Sequence, residues 1–211
     1  MPGQTGCEAC HGPGSKHMTV GGGRGQFIVN PGKDPAACYG CHPETQLEFA
    51  LPVHHPVPEG HMSCADCHDP HGLEPNRPAD LALTARQNAP CAYCHREQTR
   101  MVIYRHDALR EGCSTCHAPH GSINSKLLVQ RDANLCLRCH AQVPGPQGEI
   151  FIGRKAHRAK LAQVASCNSP GCHTGPVSGP PCGCGLAVGT CWSAGCHVAP
   201  HGSNVNPYLL Y

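Results

Sequence analysis

Two thiols held two residues apart, with an imidazole directly behind the second, recur along this chain. The pattern C-x-x-C-H begins at Cys7, Cys38, Cys64, Cys91, Cys113 and Cys136 and ends at His11, His42, His68, His95, His117 and His140. The second thiols are Cys10, Cys41, Cys67, Cys94, Cys116 and Cys139. Two looser copies place four residues between the thiols, Cys167 and Cys172 before His173 and Cys191 and Cys196 before His197. Paired thiols at this spacing can add to the two vinyl groups of a porphyrin, and the adjacent histidine then becomes the proximal ligand of its iron. That is the chemistry of c-type haem attachment. Multihaem cytochromes use C-x4-C-H as well as C-x2-C-H, so eight c-type haems are expected. They take sixteen of the eighteen cysteines and leave Cys182 and Cys184 over, with no role assigned.

The pattern is specific. The chain's own Cys and His frequencies predict only about 0.1 chance copies over this length. Zinc ribbons and fingers also use Cys/His pairs, but zinc has no need of a histidine after every second cysteine. A disulfide framework leaves the histidines equally unexplained.

Nine histidines remain outside the motifs, and eight haems with two axial histidines each need eight of them. The expected distal ligands are His17, His54, His55, His71, His106, His120, His157 and His201. His61 is left as the spare because it lies close to Cys64 while the pair His54-His55 is better placed to serve two irons. Iron with two histidines has no open position for substrate, so electron transfer is expected and enzymatic activity is not. Without a methionine ligand the potentials should be low.

The elements that position these residues are short. Gly (25) and Pro (21) are abundant, aromatics are 4% and charged residues 14%, against a usual charged share of about 25%. Such a chain builds little core of its own. The expected fold is mostly irregular coil with a few short α-helices, an extended chain wrapped around closely packed haems. Motif starts lie 22 to 31 residues apart, too few to wrap each haem separately, so neighbouring haems share walls. The repeat reads as haem-pair units at approximately 1–37, 38–90, 91–135, 136–175 and 190–211 within a single octahaem unit, with a Pro/Gly/Cys-rich insert at 176–189. Helices are expected at 45–51, 98–111, 134–141 and 155–165, and a short strand at 26–29. In Cys113 to Gly121 a C-H-x-P-H-G ending follows the thiols. His120 lies too close in sequence to reach the far face of the haem its own motif holds, so it is expected to ligate a neighbouring haem and tie the two together.

A formal charge of +2, without a basic run, argues against nucleic acid. No apolar stretch approaches the roughly 20 residues of a membrane helix. Met1 leads almost directly to Cys7 without a signal peptide. Because c-type haems are attached outside the bacterial cytoplasm, a mature or truncated chain, or a start further upstream, is expected.

Cys7-Glu-Ala-Cys10-His11-Gly-Pro-Gly-Ser-Lys-His17, His54-His55-Pro56, the C-H-x-P-H-G endings and the terminal His201-Gly-Ser-Asn204 resemble the MtrA/DmsE-type periplasmic multihaem cytochromes. The likeness runs from Cys7 to about Gln142 and again at the end. It implies a bis-histidine haem wire that plugs an outer-membrane β-barrel porin and passes electrons between periplasmic donors and other cytochromes or a terminal reductase. It also implies His17, His54, His55, His71, His106, His120 and His201 as distal ligands. The chain departs from that family, usually decahaem, in showing eight motifs, two of them C-x4-C-H, and the Cys182-Gly-Cys184 insert. The alternative architecture is an extracellular filament of identical subunits with continuously stacked haems; a multihaem reductase ranks last.

Overall fold

The computed structural model describes residues 6–71, 81–131, 133–140, 142–147, 149–152, 155–157 and 197–210. The chain is mostly turn and coil carrying helices of one to four turns and strands of two or three residues. Its contacts divide into two units, one made of residues 1–94 with 117–127 and the other of 95–116 with 128–211.

The first unit begins with helix α1 (Cys7–His11) and α2 (Gly14–Thr19), followed by α3 (Ala36–Tyr39), α4 (Pro43–Phe49) and α5 (Leu81–Cys94). Helix α4 opens with Pro43 in the first turn and Glu44 beside it, the residue types that suit a helix start because no N–H is wasted and the acid faces the positive end of the dipole. The expected helix at 45–51 is this element, starting two residues earlier. The expected strand at 26–29 does not form. Val29 instead bonds to the first motif, its N–H on the His11 carbonyl at 2.8 Å and its own carbonyl accepting from His11 Nδ1 at 3.0 Å. Helix α5 had no sequence forecast because Pro90 interrupts it; the Leu, Ala, Arg and Gln before that proline are strong helix formers.

After α4 the chain runs extended through Val53 and pairs antiparallel with Ser122, Val53 N–H on the Ser122 carbonyl at 3.2 Å and Ser122 N–H on the Val53 carbonyl at 2.8 Å. Gly121 lies so close to α4 that a Cβ there would fall on the Glu48 carbonyl oxygen. The Ser122 side chain is buried and its hydroxyl accepts the Asn124 N–H.

The second unit holds α6 (Arg96–Thr99), β1 (Tyr104–Arg105), α7 (Ala133–Leu137), the antiparallel sheet β2 (Gln142–Pro144), β3 (Ile150–Ile152) and β4 (Lys155–His157), and β5 (Gly202–Ser203). The helix expected at 98–111 is broken. Arg100 turns extended, the β-favouring run Met101-Val-Ile-Tyr follows, and β1 pairs with β5 so that Tyr104 opposes Ser203 and Arg105 opposes Gly202. Within that stretch Gln98 and Thr99, the end of α6, and a 3-10 turn at Asp107–Glu111 are helical. The helix expected at 134–141 ends early, at Leu137, and Lys155–His157 is a strand paired with β3 where a helix was expected. Tertiary pairing overrides the weak local preference in both places.

Among the described residues the apolar core is small. Among the described residues Phe49, Val57 and Leu128 are the buried apolar side chains, whereas Met101, Ile123 and Leu47 are 86%, 75% and 72% exposed. Apolar groups on the outside of the polypeptide are what a chain needs when it packs on flat hydrophobic cofactors. Among the described residues no helix is long and apolar enough to cross a membrane.

Candidate haem-binding site

Each strict motif folds as a helical turn. Cys7–His11 is α1 itself and Cys91–Cys94 closes α5. At the motifs of Cys38, Cys64 and Cys136 the histidine N–H reaches back to the first cysteine's carbonyl at 2.9 to 3.0 Å, and at Cys113 the second cysteine's N–H does so at 3.2 Å. Residues three and four apart on a helix share one face. Both thiols and the imidazole therefore point to the same side, which is why two intervening residues suit porphyrin attachment.

The twelve cysteines of these motifs carry no disulfide. Thiols of successive motifs converge. Burial pushes the Cys38 thiol up to about 11, and the Cys64 thiol, with which it hydrogen-bonds, adds to the rise together with Cys10. Cys67 is raised by burial and then by Cys91. Cys116 is raised mainly by burial, with Cys139 contributing. Among the described residues no three His, Cys, Asp or Glu side chains gather as a metal cage, unlike the four-ligand sites of structural zinc.

Histidines from distant motifs meet in pairs. His11 lies 5.9 Å from His71 with rings 20° apart, His68 lies 5.9 Å from His120 at 39°, and His106 lies 6.0 Å from His140 at 16°. Two imidazoles bound on opposite sides of one metal, with metal–nitrogen distances of about 2 Å, have ring centres roughly 6 Å apart. Each pair joins a motif histidine to one of the expected distal ligands. His71, behind the third motif, reaches the first; His120, behind the fifth, reaches the third.

The rings are oriented through Nδ1. His11, His17, His54, His55, His106, His117 and His197 donate Nδ1–H to the carbonyls of Val29, Gln26, Leu51, Pro119, Pro200, Lys126 and Tyr208 at 2.6 to 3.0 Å. A carbonyl can only accept, so the proton sits on Nδ1, and in all of these but His54 Nε2 keeps its lone pair, the state a metal ligand requires. Burial, then the neighbouring His120, lowers His68 below the ordinary histidine range, and burial, then His106, does the same to His140. Both effects favour the neutral, ligating imidazole.

Two groups use carboxylates instead. His120 Nδ1 bonds Glu48 at 2.8 Å, and His42 Nδ1 meets Glu44 at 3.3 Å. His54 differs from the other expected distal ligands, because its Nε2 is held by Glu59 at 2.9 Å and that hydrogen bond, foremost, raises its pKa. Among the described residues His61 is exposed and has no such Nδ1 anchor. His95 is exposed, His201 is half-buried, and His157 lies on β4 opposite Ile150. Cys167, Cys172, His173, Cys191 and Cys196, with the insert and Cys182 and Cys184, lie outside the described residues.

The donor set fits covalent haem. Reduced thiols, a motif imidazole and an oriented second imidazole are all in place, and beside Cys38 and Cys64 the buried Tyr39 hydroxyl lacks a hydrogen-bond partner among the described residues, a donor suited to a haem carboxylate. Sequence reasoning did not find Glu48, Glu59 or Tyr39. Glu48 is 72 residues from the histidine it holds, and no local signal marks it.

The chain matches the doubled CXXCH motif family over residues 54–100 and 106–145, stretches that hold the motifs of Cys64, Cys91, Cys113 and Cys136. It is also 29% identical over 153 residues to the multiheme cytochrome MtrA of Shewanella baltica, covering 67% of this chain and 44% of that protein. The chain therefore spans less than half the length of that curated relative. Taken with the thiol pairs and facing imidazoles, these likenesses make the chain similar to MtrA-like multihaem c-type cytochromes.

Proposed function

We propose that this chain holds eight bis-histidine c-type haems and relays electrons along them, outside the cytoplasm, as the periplasmic conduit embedded in an outer-membrane β-barrel porin. Its partners are then that porin and other multihaem cytochromes. The observation that carries the reading is the set of facing imidazole pairs, His11 with His71, His68 with His120 and His106 with His140. When bound, haem iron supplies one-electron oxidation and reduction.

The chain's own residues do the rest. Imidazoles facing each other in this way would hold a haem iron between them and leave no site for substrate, so the protein is read as an electron carrier without a reductase activity. Backbone carbonyls lock the ring orientations, so that little has to rearrange when charge changes. The thiols would hold the porphyrins covalently, and Cys38 approaches Cys64 and Cys116 approaches Cys139, thiols of successive motifs. His71 and His120 then span from one motif to an earlier one, which supports a continuous row.

Intact mass of the holo-protein tests the count. Eight haem additions are expected, and six would remove the sites at Cys167 and Cys191. Electron microscopy of the native protein tests the setting: filaments one molecule wide would overturn the porin reading in favour of a polymer of this chain.

A further inference from the structure

Seven described histidines rest Nδ1 on a neutral backbone carbonyl, whereas His42 and His120 meet a carboxylate, and of those two the Glu48 contact to His120 is short and structurally clamped. The oxygen lies 2.8 Å from Nδ1, with the His120 side chain 33% and the Glu48 side chain 50% exposed. Glu44 reaches His42 at 3.3 Å with both side chains 67% exposed, a looser and wetter contact. Three features hold Glu48 where it is. Its own carbonyl is packed under Gly121, the residue after His120. Val53 and Ser122 bridge the two segments. The next residue, Phe49, is buried with its ring 5.4 Å from the His120 ring.

We infer that Glu48 is a positioning residue that sets the haem held by Cys64, Cys67 and His68 at a lower potential than it would have with a neutral partner on His120. This rests on the reading of His68 and His120 as its two axial ligands. A carboxylate drawing the Nδ1 proton makes the imidazole a stronger donor, and its negative charge one ring away from iron favours the more positive, oxidised state. Charge-assisted hydrogen bonds are roughly twice as strong as neutral ones, so the effect exceeds that of the Val29 or Pro200 carbonyls on His11 and His106. One electron is gained from or lost to an adjoining haem, no covalent bond changes, and the hydrogen bond stays in place throughout. Glu48 would thus make one early member of the row harder to reduce than the carbonyl-anchored ones, a step in the potential profile that the spacing of motifs does not reveal.

The test is a potentiometric titration of holo Glu48→Gln followed optically, with haem content counted by mass. The expected result is a rise of one haem's midpoint corresponding to at least a tenfold change in its reduction equilibrium, about 59 mV for one electron, with the other haems unmoved. Glu48→Asp should recover part of the shift, and Glu149→Gln, which removes a negative charge elsewhere, should produce none. A Glu48→Gln titration that superimposes on the unmodified protein at equal haem content overturns the inference, and so does an equal shift in Glu149→Gln. If Glu48→Gln assembles poorly, Glu48→Asp decides alone: its shorter side chain leaves the carboxylate farther from Nδ1 and should raise the same midpoint by a smaller amount, and an unchanged titration overturns the inference. In either case a low-spin, six-coordinate spectrum of the unmodified protein keeps the bis-histidine reading standing, whereas a high-spin one removes that reading first.

Discussion

The same knot is tied twice in this molecule, once in each unit, and the two copies differ in what they add to it. In the first unit Val53 to His55 lies against Pro119 to Ser122. In the second Tyr104 to His106 lies against Pro200 to Ser203. The shared parts correspond closely. His55 and His106 donate Nδ1–H to the carbonyls of Pro119 and Pro200 at 2.7 and 3.0 Å. Gly121 and Gly202 allow backbones to approach where a Cβ would collide with Glu48 or with Val102 and Tyr104. Ser122 and Ser203 are the buried polar side chains among the described residues, each bonding backbone N–H groups. The ending P-H-G-S is therefore a lock that presents two histidines at once, one on each strand. The first copy closes with a single bridge and gains a helix, α4, that brings Glu48 and Phe49 to His120. The second closes with a two-residue ladder and a hydroxyl that also bonds the Leu210 carbonyl at 2.9 Å.

Breaking the first lock at its ligand should have the largest effect. His120→Ala is expected to give a reduced holo-protein that binds one equivalent of carbon monoxide, because the iron facing His68 loses its second imidazole; the unmodified protein should bind none. Optical titration with the gas checks both. Gly121→Ala comes next, since its methyl meets helix backbone that cannot rotate away. It should cost about 1–3 kcal/mol, as overpacking does, and thermal unfolding should show it. Gly202→Ala meets a valine methyl at 2.5 Å and the Tyr104 carbonyl at 2.9 Å, at a φ of +140° that side chains rarely adopt. Its cost should be of similar order, about 1–3 kcal/mol, but confined to the second unit. Hydrogen exchange at Tyr104 and Arg105 would locate it.

The serines test the part that the two locks share. Ser203 accepts from the N–H groups of Val205 and Asn206 and donates to Leu210. Ser203→Ala leaves three backbone groups to find new partners and should cost about 1–3 kcal/mol. Ser122→Ala takes away the acceptor of the Asn124 N–H and should likewise cost about 1–3 kcal/mol. Chemical denaturation of the two holo-variants checks both costs, and an unchanged stability in either would mean that its serine does not hold the lock.

Much of this was legible in the sequence because covalent chemistry demands it. The thiol pairs, motif histidines and P-H-G endings are local patterns, and a helical turn explains each motif without reference to the rest of the chain. His71, His106 and His120 stood out by residue type as candidate ligands. Their destinations did not, because what brings His71 to His11 or His106 to His140 is pairing between segments up to a hundred residues apart. The same holds for regular structure. The stretch from Gln98 to Glu111 has helical spacing, yet β5 captures Tyr104 and Arg105 from a distance. Lys155 to His157 is likewise drawn into a sheet by β3. Glu48 looks like any helix-surface acid until Gly121 is laid against it.

The account stands on the claim that each iron is held between two imidazoles contributed by different motifs. The electron paramagnetic resonance spectrum of the fully oxidised holo-protein tests this directly. Low-spin signals alone, accounting for every haem counted by mass, are predicted. A high-spin ferric signal integrating to one or more haems of the intact protein would contradict it, for it would mean an iron with an open position and a site for substrate.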